Sequence, residues 1–408
     1  MERWNIIIVG GGAAGLVAAG AAAEAGATVL VCEKMSKVAR KVGISGKGRG
    51  NVTNDKPPEL FAEGYRHGGD FLRSAFARFF VADTIALLEK RGVPCVTERG
   101  GRVFPASGKA QDVVKALYRY ARAHGAAVRT DAPIAEIAHE DDGFSLRIGR
   151  QRLGARHVIL ATGGKSYPAT GSTGDGHRFA QALGHTIVEP RPALAPLKLT
   201  GLPPELRVHL KNVGVALLDD KTQIAAGFGE ALLEKGEAGG PVPLNLARDV
   251  AGCKKPVLAL DLKPALDEAK LDARLRRDLE ADGKAPLADV LRGLLPQVLL
   301  PLIVARAELN PEQRCAEISK KTRLRLLRTL KRLTFPVADI GDWPQALVTA
   351  GGVRLDEVDP RTMESRLVPG LFFCGEVLDI DGVSGGYNLQ AAFSTGYLAG
   401  RAAAKALT

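Results

Sequence analysis

A glycine-rich hexapeptide near the N-terminus has the spacing of a phosphate-binding turn. Gly10, Gly12 and Gly15 match the pattern G-x-G-x-x-G, and Glu33 follows 18 positions after Gly15. In this pattern the first glycine allows a tight turn, the second admits a pyrophosphate, and the third lets a helix approach a strand. An acid at Glu33 accepts hydrogen bonds from ribose hydroxyls and repels a 2′-phosphate. These residues predict a dinucleotide site whose bound nucleotide is not NADP.

A second set of candidate residues lies near the C-terminus, far from the first in sequence. It comprises Gly375, Glu376, Asp381 and Gly386, followed by a predicted helix that begins near Asn388. A second strand–glycine–helix arrangement suits a ligand longer than NAD, with a ribityl chain and a ring that need their own donors and acceptors. The positive end of the helix would stabilise an anionic reduced flavin. The two sets together predict FAD as the cofactor.

Strands and helices with simple apolar patterns must position these residues. Residues 4–9 form an apolar run before the first glycine, residues 13–25 are alanine-rich, and residues 28–32 form a second apolar run that ends at Glu33. This order is typical of a βαβ unit with buried parallel strands. Residues 371–374 form a similar run before the C-terminal glycines. The predicted fold class is α/β, with a Rossmann-type FAD-binding domain.

The length of 408 residues suits two or three domains, and 46% hydrophobic with 25% charged residues indicates a globular chain. We predict an FAD-binding domain built from residues 1–189 and 346–408. An inserted α+β substrate domain would occupy residues 190–345. Its predicted parts are β-rich at 190–262 and helical at 263–335.

Positive charge is concentrated in two short stretches of the chain, whose net charge is +11. Residues 34–49 contain six basic residues and no acid, and residues 314–332 contain eight basic residues and one acid. Such localisation favours a polyanionic partner. On a predicted helix, four cations fall on one face opposite leucines, a spacing that suits an RNA backbone as well as a solvated face. They are Lys321, Arg325, Arg328 and Arg332.

The cysteines and the longest apolar run exclude several other classes of protein. Five cysteines without a Cys-x-x-Cys pair argue against a disulfide framework, a zinc site or a redox dithiol, so we predict no metal and a cytoplasmic protein. The uncharged run at residues 6–23 is 18 residues long. Its three consecutive glycines would break a membrane helix, and we therefore predict no membrane association.

Three longer blocks of this sequence resemble the BaiN/RdsA family of FAD-dependent oxidoreductases. The blocks span residues 44–54, 161–176 and 375–390, and the similarity is weaker through residues 190–345. The resemblance implies an FAD domain with an inserted substrate domain. It also implies reduction of a carbon–carbon double bond, on uridine of 23S ribosomal RNA in one branch and on steroid-like molecules in another, and amine oxidation has been attributed to relatives.

The resemblance further implies which residues contact the flavin. The implied contacts are Gly10, Gly12, Gly15, Glu33, Lys34, Arg40, Lys41, Ser45, Gly46, Lys47, Gly48, Gly163, Gly375, Glu376, Asp381, Gly386, Tyr387, Asn388 and Leu389. Two departures from the family pattern bear on acid–base chemistry. Gly50 stands where the family block usually has cysteine, and Glu234-Lys235 stands where the family tends to have Thr-His.

Tyr167 and His177 are the candidate proton donors, since both lie in a glycine-rich block near the expected cofactor. Packing roles for both side chains fit the sequence equally well. The predicted reaction is hydride transfer between FAD and an activated double bond, with uracil in 23S ribosomal RNA as the leading substrate. A small-molecule ene-reductase, an amine or alcohol oxidase and a non-catalytic flavin-binding protein remain alternatives. No nicotinamide domain is evident, so NAD(P)H would act as a transient reductant.

Overall fold

The computed structural model describes residues 2–407 and divides the chain into two compact units. The first unit extends to Ala193 and resumes at Trp343, and the second is Leu194–Asp342. The boundaries predicted from the sequence were 189/190 and 345/346. The first unit has the Rossmann-type α/β fold expected from the sequence, and the second is the insertion.

The strands and helices are numbered in chain order. The strands are β1 (Glu2–Val9), β2 (Val29–Cys32), β3 (Thr53–Asn54), β4 (Cys95–Glu98), β5 (Arg102–Pro105), β6 (Ala127–Arg129), β7 (Ile134–Glu140), β8 (Gly143–Ile148), β9 (Gln151–Leu160), β10 (Ile187–Ala193), β11 (Leu197–Leu199), β12 (Arg207–Asp219), β13 (Thr222–Glu234), β14 (Glu237–Gly239), β15 (Pro256–Asp261), β16 (Leu333–Ile340), β17 (Val348–Val353) and β18 (Leu371–Phe373). The helices are α1 (Ala13–Glu24), α2 (Arg40–Ile44), α3 (Pro58–Ala62), α4 (Gly69–Phe76), α5 (Val81–Glu89), α6 (Ala110–Ala123), α7 (Asp175–Ala182), α8 (Pro241–Leu246), α9 (Glu268–Ala281), α10 (Leu287–Leu294), α11 (Leu300–Arg306), α12 (Lys320–Lys331) and α13 (Tyr387–Lys405).

The main sheet of the first unit is parallel at its centre. Its strands follow the order β6-β2-β1-β9, and β18 pairs in parallel with the end of β9. The antiparallel hairpin of β7 and β8 continues the sheet beyond β9. Ile6, Ile7 and Ile8 are fully buried, as expected for a parallel strand covered on both faces. Because β1, β9 and β18 are parallel neighbours, their carboxyl ends share one edge of the sheet.

Close packing of α1 against α13 joins the two ends of the chain in one domain. A Cβ atom at Gly396 would lie 2.4 Å from the Ala14 carbonyl oxygen, and one at Gly400 would lie 2.3 Å from the Ala18 oxygen. Only glycine permits such an approach of two helix backbones. A side chain at Gly396 or Gly400 would therefore push α13 away from α1.

The uncharged run at residues 6–23 is divided between β1, a turn and α1. The turn residue Gly10 has φ +109°, which breaks the run at the position expected from the sequence. Among residues 2–407, no helix combines the length and the apolar character needed to cross a membrane.

The second unit contains a closed barrel and a group of helices. The barrel order is β11-β14-β13-β12-β15-β16, and β16 closes it by pairing with β11. Buried leucines of α9, α10 and α12 pack into the same hydrophobic cluster as the barrel strands. The predicted division into a β-rich part at 190–262 and a helical part at 263–335 was therefore incomplete. Leu333–Ile340 returns to the barrel after the helices.

Candidate functional site

The glycine turn after β1 opens an uncapped helix N-terminus onto free space. A Cβ atom at Gly10 would lie 2.5 Å from the Ala161 carbonyl oxygen, and one at Gly15 would lie 1.9 Å from the Gly10 oxygen. At Gly12, by contrast, a Cβ atom would meet nothing within 4 Å. The first turn of α1 has no side-chain cap and no acid. Free N–H groups beside open space fit a pyrophosphate.

Glu33 is held in place at the end of β2 by backbone N–H groups. Its Oε2 accepts from the Gly11 N–H at 2.8 Å, and its Oε1 accepts from the Met35 N–H at 2.8 Å. The residue is 9% exposed. Each carboxylate oxygen keeps a second lone pair, so the side chain retains the capacity to accept from ribose hydroxyls.

The Glu376 carboxylate is the meeting point of three distant segments. Its Oε2 lies 2.7 Å from the Lys41 ammonium, and its Oε1 accepts from the Ser166 hydroxyl at 2.5 Å and from the Thr349 N–H at 2.9 Å. The Lys41 ammonium also donates to the Ser166 Oγ at 2.6 Å. Lys41 and Glu376 are partly exposed, so this network can present charge and donors to a bound cofactor.

The strand β3 fixes the glycines that precede α13. Gly386 has φ +106°, and a Cβ atom there would lie 2.3 Å from the Thr53 carbonyl. The Asn54 amide donates to the Gly385 carbonyl at 3.2 Å. With its amide oxygen turned towards the Gly386 N–H, Asn51 accepts a bond of 3.1 Å. The block at residues 44–54 therefore lies against the N-terminus of α13.

The first turn of α13 offers backbone N–H groups to a cofactor, whereas two of its side chains are already engaged within the protein. The Tyr387 ring stacks on Phe61 with 4.3 Å between ring centroids, and the Asn388 amide bonds both the N–H and the carbonyl of Gly382. The helix has no side-chain cap. Its free N–H groups, those of Tyr387, Asn388 and Leu389 at the first three positions, suit an electron-rich ring edge such as the flavin pyrimidine.

The other residues implied by the resemblance lie around this edge of the first unit. Lys34 donates to Thr173 Oγ1 at 2.5 Å and to Asp175 at 2.6 Å, so its charge is already paired at the start of α7. Arg40 is exposed at the start of α2, and Asp381 is 3% exposed in the loop before α13. The left-handed backbone positions, which place N–H groups in tight turns, are Gly46 (φ +56°), Lys47 (φ +57°), Gly48 (φ +83°), Gly163 (φ +73°) and Gly375 (φ +75°). Ser45 donates to the Val42 carbonyl.

The candidate proton donors occupy different environments. His177 is 6% exposed, and neither ring nitrogen has a hydrogen-bond partner. Burial lowers the pKa of His177 below 6.5, against the opposing attraction of the Glu376 carboxylate and the Val377 carbonyl. Packing encloses the His177 ring in this conformation, and its role as a proton donor stays a prediction. Tyr167 is half-buried beside Ser166, with its N–H donating to the Trp343 carbonyl at 3.1 Å.

The cysteine thiols are poor candidates for nucleophilic chemistry. All five are free, and Cys32, Cys315 and Cys374 are buried. Burial raises the pKa of Cys32 to about 12 and that of Cys95 to about 11. A thiol with such a pKa is almost wholly protonated at neutral pH.

The row of cations predicted on one helix is only partly available. The helix α12 ends at Lys331, and Arg332 has φ −149°, so Arg332 lies outside the helical face on which the sequence placed it. Arg325 is committed to Glu308, whose carboxylate lies 2.8 Å and whose carbonyl lies 2.5 Å from the guanidinium. Lys321 and Arg328 are exposed, and neither has an ion-pair partner among residues 2–407.

Several residues of the site were missed from the sequence. Thr349 and Ser166 bind Glu376, and Asn51 and Asn54 bind the glycines before α13. Asn51, Asn54 and Ser166 lay inside blocks that carried the resemblance, which was the available signal. Thr349 had no such signal, because its role depends on β17 lying beside the Glu376 loop.

A Rossmann-type unit with two uncapped helix N-termini, built from both ends of the chain, defines a dinucleotide-binding protein of the flavoprotein type. The family model "HI0933-like protein Rossmann domain" matches residues 4–402, and the chain belongs to this family. The resemblance to BaiN/RdsA proteins is thereby confirmed. The protein is an FAD-dependent oxidoreductase.

Two characterised relatives match almost the whole chain. A 3-dehydro-bile acid delta(4,6)-reductase of Clostridium scindens is 33% identical over 410 residues, which cover 98% of this chain and 99% of the relative. A ribosomal RNA dihydrouridine synthase of Escherichia coli is 31% identical over 404 residues and 97% of each chain.

Solved structures share the fold at low sequence identity. A quinol fumarate reductase of Escherichia coli superposes with a TM-score of 0.53 at 18% identity, covering 99% of this chain and 71% of that one. A 3-ketosteroid-delta4-(5alpha)-dehydrogenase of Rhodococcus jostii gives a TM-score of 0.50 at 17% identity, covering 99% and 97%. These similarities establish the architecture of the fold.

Proposed function

We propose that this protein reduces a carbon–carbon double bond conjugated to a carbonyl, and that its substrate is a uracil of ribosomal RNA. The observation that carries the reaction class is the pair of full-length relatives. One is named for a bile acid and the other for ribosomal uridine, yet both names describe the saturation of such a bond. The chemistry is common to the two substrates and therefore does not depend on which of them this protein binds.

Reduction of a conjugated double bond needs a hydride at one carbon and a proton at the other. FAD, once reduced, would supply the hydride. The uncapped N-terminus of α13 would stabilise negative charge on the pyrimidine edge of the cofactor, and Lys41 with Glu376 would hold its polar chain. The Tyr167 phenol is the remaining candidate proton donor, because Gly50 has no side chain and His177 is enclosed.

Exposed cations favour RNA as the substrate. Lys321 and Arg328 on α12 and the following Arg332 are exposed and have no ion-pair partner among residues 2–407. In the first unit, Arg40 and Lys47 are also exposed. Cations with no internal partner can replace the counterions of a phosphate backbone. The release of these counterions is the main source of RNA affinity.

A small-molecule ene-reductase is the second candidate, and the internal ion pairs favour it. Arg323 lies 2.8 Å from Asp272, Arg325 lies 2.8 Å from Glu308, and Lys331 lies 2.6 Å from Asp261. Half of the cations of α12 are thus neutralised within the protein. A steroid-like substrate requires no cationic track.

The test is nucleoside mass spectrometry of ribosomal RNA from a strain that lacks this protein. Loss of dihydrouridine, restored by the wild-type chain, is the result expected for the RNA substrate. In parallel, the photoreduced protein is mixed anaerobically with a ribosomal RNA fragment or with a 3-oxo-Δ4 steroid, and reoxidation of the flavin is followed by absorbance. Reoxidation by the steroid alone, with an unchanged content of ribosomal dihydrouridine, would show that the protein is a small-molecule ene-reductase instead.

A further inference from the structure

The loop between β18 and α13 carries several residues of the cofactor site. Residues 375–386, here termed the cofactor loop, include Glu376 at the polar network and Gly386 at the start of α13. Regular structure is absent from this loop within the described part of the chain. Its shape must therefore depend on contacts with neighbouring segments.

A short segment between α3 and α4 lies along the cofactor loop. This segment, residues 64–68, is here termed the strap. The Val383 N–H donates to the Gly64 carbonyl at 2.9 Å, and Tyr65 forms an isolated antiparallel bridge with Gly382. The buried Tyr65 hydroxyl donates to the Tyr387 carbonyl at 2.7 Å. The strap therefore follows the loop as far as the first residue of α13.

The His67 side chain of the strap bonds a carboxylate of the loop. Its Nε2 lies 2.9 Å from Asp379 Oδ2 and 3.1 Å from the Asp379 carbonyl oxygen. Asp379 Oδ1 accepts from the Gly351 N–H of β17 at 3.0 Å. The Asp379 side chain is 10% exposed and that of His67 is 54% exposed. The carboxylate is thus held between β17 and the strap.

We propose that His67 is a positioning residue, whose hydrogen bond to Asp379 holds the cofactor loop in the shape that binds FAD. The bond acts at the middle of the loop, between Glu376 and Gly386. Loss of the Nε2 donor would leave Asp379 Oδ2 without its strap partner and loosen the middle of the loop, although the backbone bonds at Gly64 and Tyr65 would still hold its later part. The inference concerns cofactor binding and does not depend on the substrate.

The test compares FAD affinity among three variants and the wild type, each prepared as the full-length apoprotein. His67→Leu removes the donor, whereas His67→Gln places an amide N–H near the position of Nε2. His209→Leu is the matched control, because His209 also pairs with a carboxylate, Glu230, at 3.1 Å and is similarly exposed. Affinity is measured from quenching of FAD fluorescence. The thermal midpoint of each apoprotein and the absorption spectrum of the FAD-saturated protein are recorded as well.

The expected result is FAD binding weaker by about tenfold in His67→Leu, since a hydrogen bond to a charged group contributes on that scale. His67→Gln and His209→Leu should bind FAD as the wild type does. The flavin spectrum should change in His67→Leu and return in His67→Gln, with the apoprotein midpoints alike. Wild-type affinity in His67→Leu overturns the proposal. So does an equal loss in His67→Gln or His209→Leu, or a loss explained by a lower apoprotein midpoint.

Discussion

The Lys41 ammonium lies 2.7 Å from the Glu376 carboxylate, although 335 positions separate them in the chain. Lys41 belongs to the short helix after the first βαβ unit, and Glu376 follows the last strand of the sheet. The Ser166 hydroxyl, from a third segment, bonds both residues. The flavin domain is thus completed by a polar contact as well as by the packing of α1 against α13.

Lys41→Met should weaken FAD binding by at least about tenfold, because it removes a donor from the network and leaves Glu376 without its cation. The apoprotein should lose about 1–3 kcal/mol of unfolding free energy, the usual cost of an unpaired, partly buried polar group. FAD titration and urea denaturation measure the two effects. Lys37→Met, at an exposed position nearby, is the control and should change neither. Equal behaviour of the two variants would show that the Lys41–Glu376 contact is incidental.

Glu33→Arg should severely weaken FAD binding, because it replaces a ribose acceptor with a cation. It also removes the acceptor of the Gly11 and Met35 N–H groups, which orients the turn. Glu33→Gln keeps one acceptor oxygen and should retain more FAD. Flavin content after purification gives the order of the three proteins. Full occupancy in Glu33→Arg would mean that Glu33 serves only to end the strand.

The sequence predicted the cofactor half of the site because local patterns encode it. The turn at Gly10–Gly15 and the strand ends depend on residues within one βαβ unit, and their spacing reflects that geometry. The resemblance implied Lys41 and Glu376 as flavin contacts, but neither their bond to each other nor the bond of Thr349 to Glu376 was foreseen. Both depend on which loops the sheet order brings together, which no local pattern records.

The inserted unit was predicted less completely for a related reason. Its strands and helices were recognised as two consecutive parts, but β16 joins the barrel after the helices through pairing with β11 and β15. Long-range strand pairing leaves no signature in the residues between. The cationic row was also overestimated, because helical spacing cannot show that Glu308 binds Arg325.

His177→Leu should flatten the pH dependence of apoprotein stability. Burial lowers the pKa of His177, so the folded state binds fewer protons than the unfolded state. The contribution of His177 to the free energy of unfolding is then fully present above the pKa of about 6.5 that it has in the unfolded chain, and it is lost as the pH falls. For one histidine this loss is at most about 1.4 kcal/mol per pH unit. Leucine removes the titrating ring and keeps an apolar side chain at this buried position. Urea denaturation between pH 7.5 and about pH 5 should show a steeper loss in the wild type, and parallel curves would contradict the argument.

Gly50→Cys introduces the cysteine that the family block usually has, and we expect it to destabilise this protein. Gly50 has φ +81°, and a Cβ atom there would lie 3.0 Å from Ala110 Cα. The left-handed backbone alone costs about 1–2 kcal/mol for a residue with a side chain. Gly48→Cys separates the two effects, because Gly48 has φ +83° but open space around it. We expect Gly48→Cys to lose only the backbone contribution and Gly50→Cys to lose more, as measured by urea denaturation. Equal losses would mean that the Ala110 contact relaxes at no cost.

The last prediction concerns RNA and uses the cations that the structure leaves free. Neutralising Lys321, Arg328 and Arg332 to glutamine should weaken the binding of a ribosomal RNA fragment and flatten its salt dependence. The slope of log affinity against log salt scales with the phosphates neutralised, at roughly 0.7 per contact for a single strand, so three lost contacts should reduce it by up to ~2.1. Arg325 is kept, because its pair with Glu308 removes it from the track.

A control with the same change of net charge makes the RNA test specific. Lys211, Lys221 and Lys254 are exposed residues of the second unit that lie outside α12. If the cations of α12 bind the RNA backbone, the variant with glutamine at these three lysines should retain the wild-type slope. Flavin content and unfolding free energy should stay close to wild type in both variants, since exposed charges contribute little to folding. If both variants flatten the slope equally, RNA responds to overall positive charge. If the wild type binds no RNA, the internal pairing of Arg323, Arg325 and Lys331 describes a structural helix, and the steroid-like substrate becomes the better assignment.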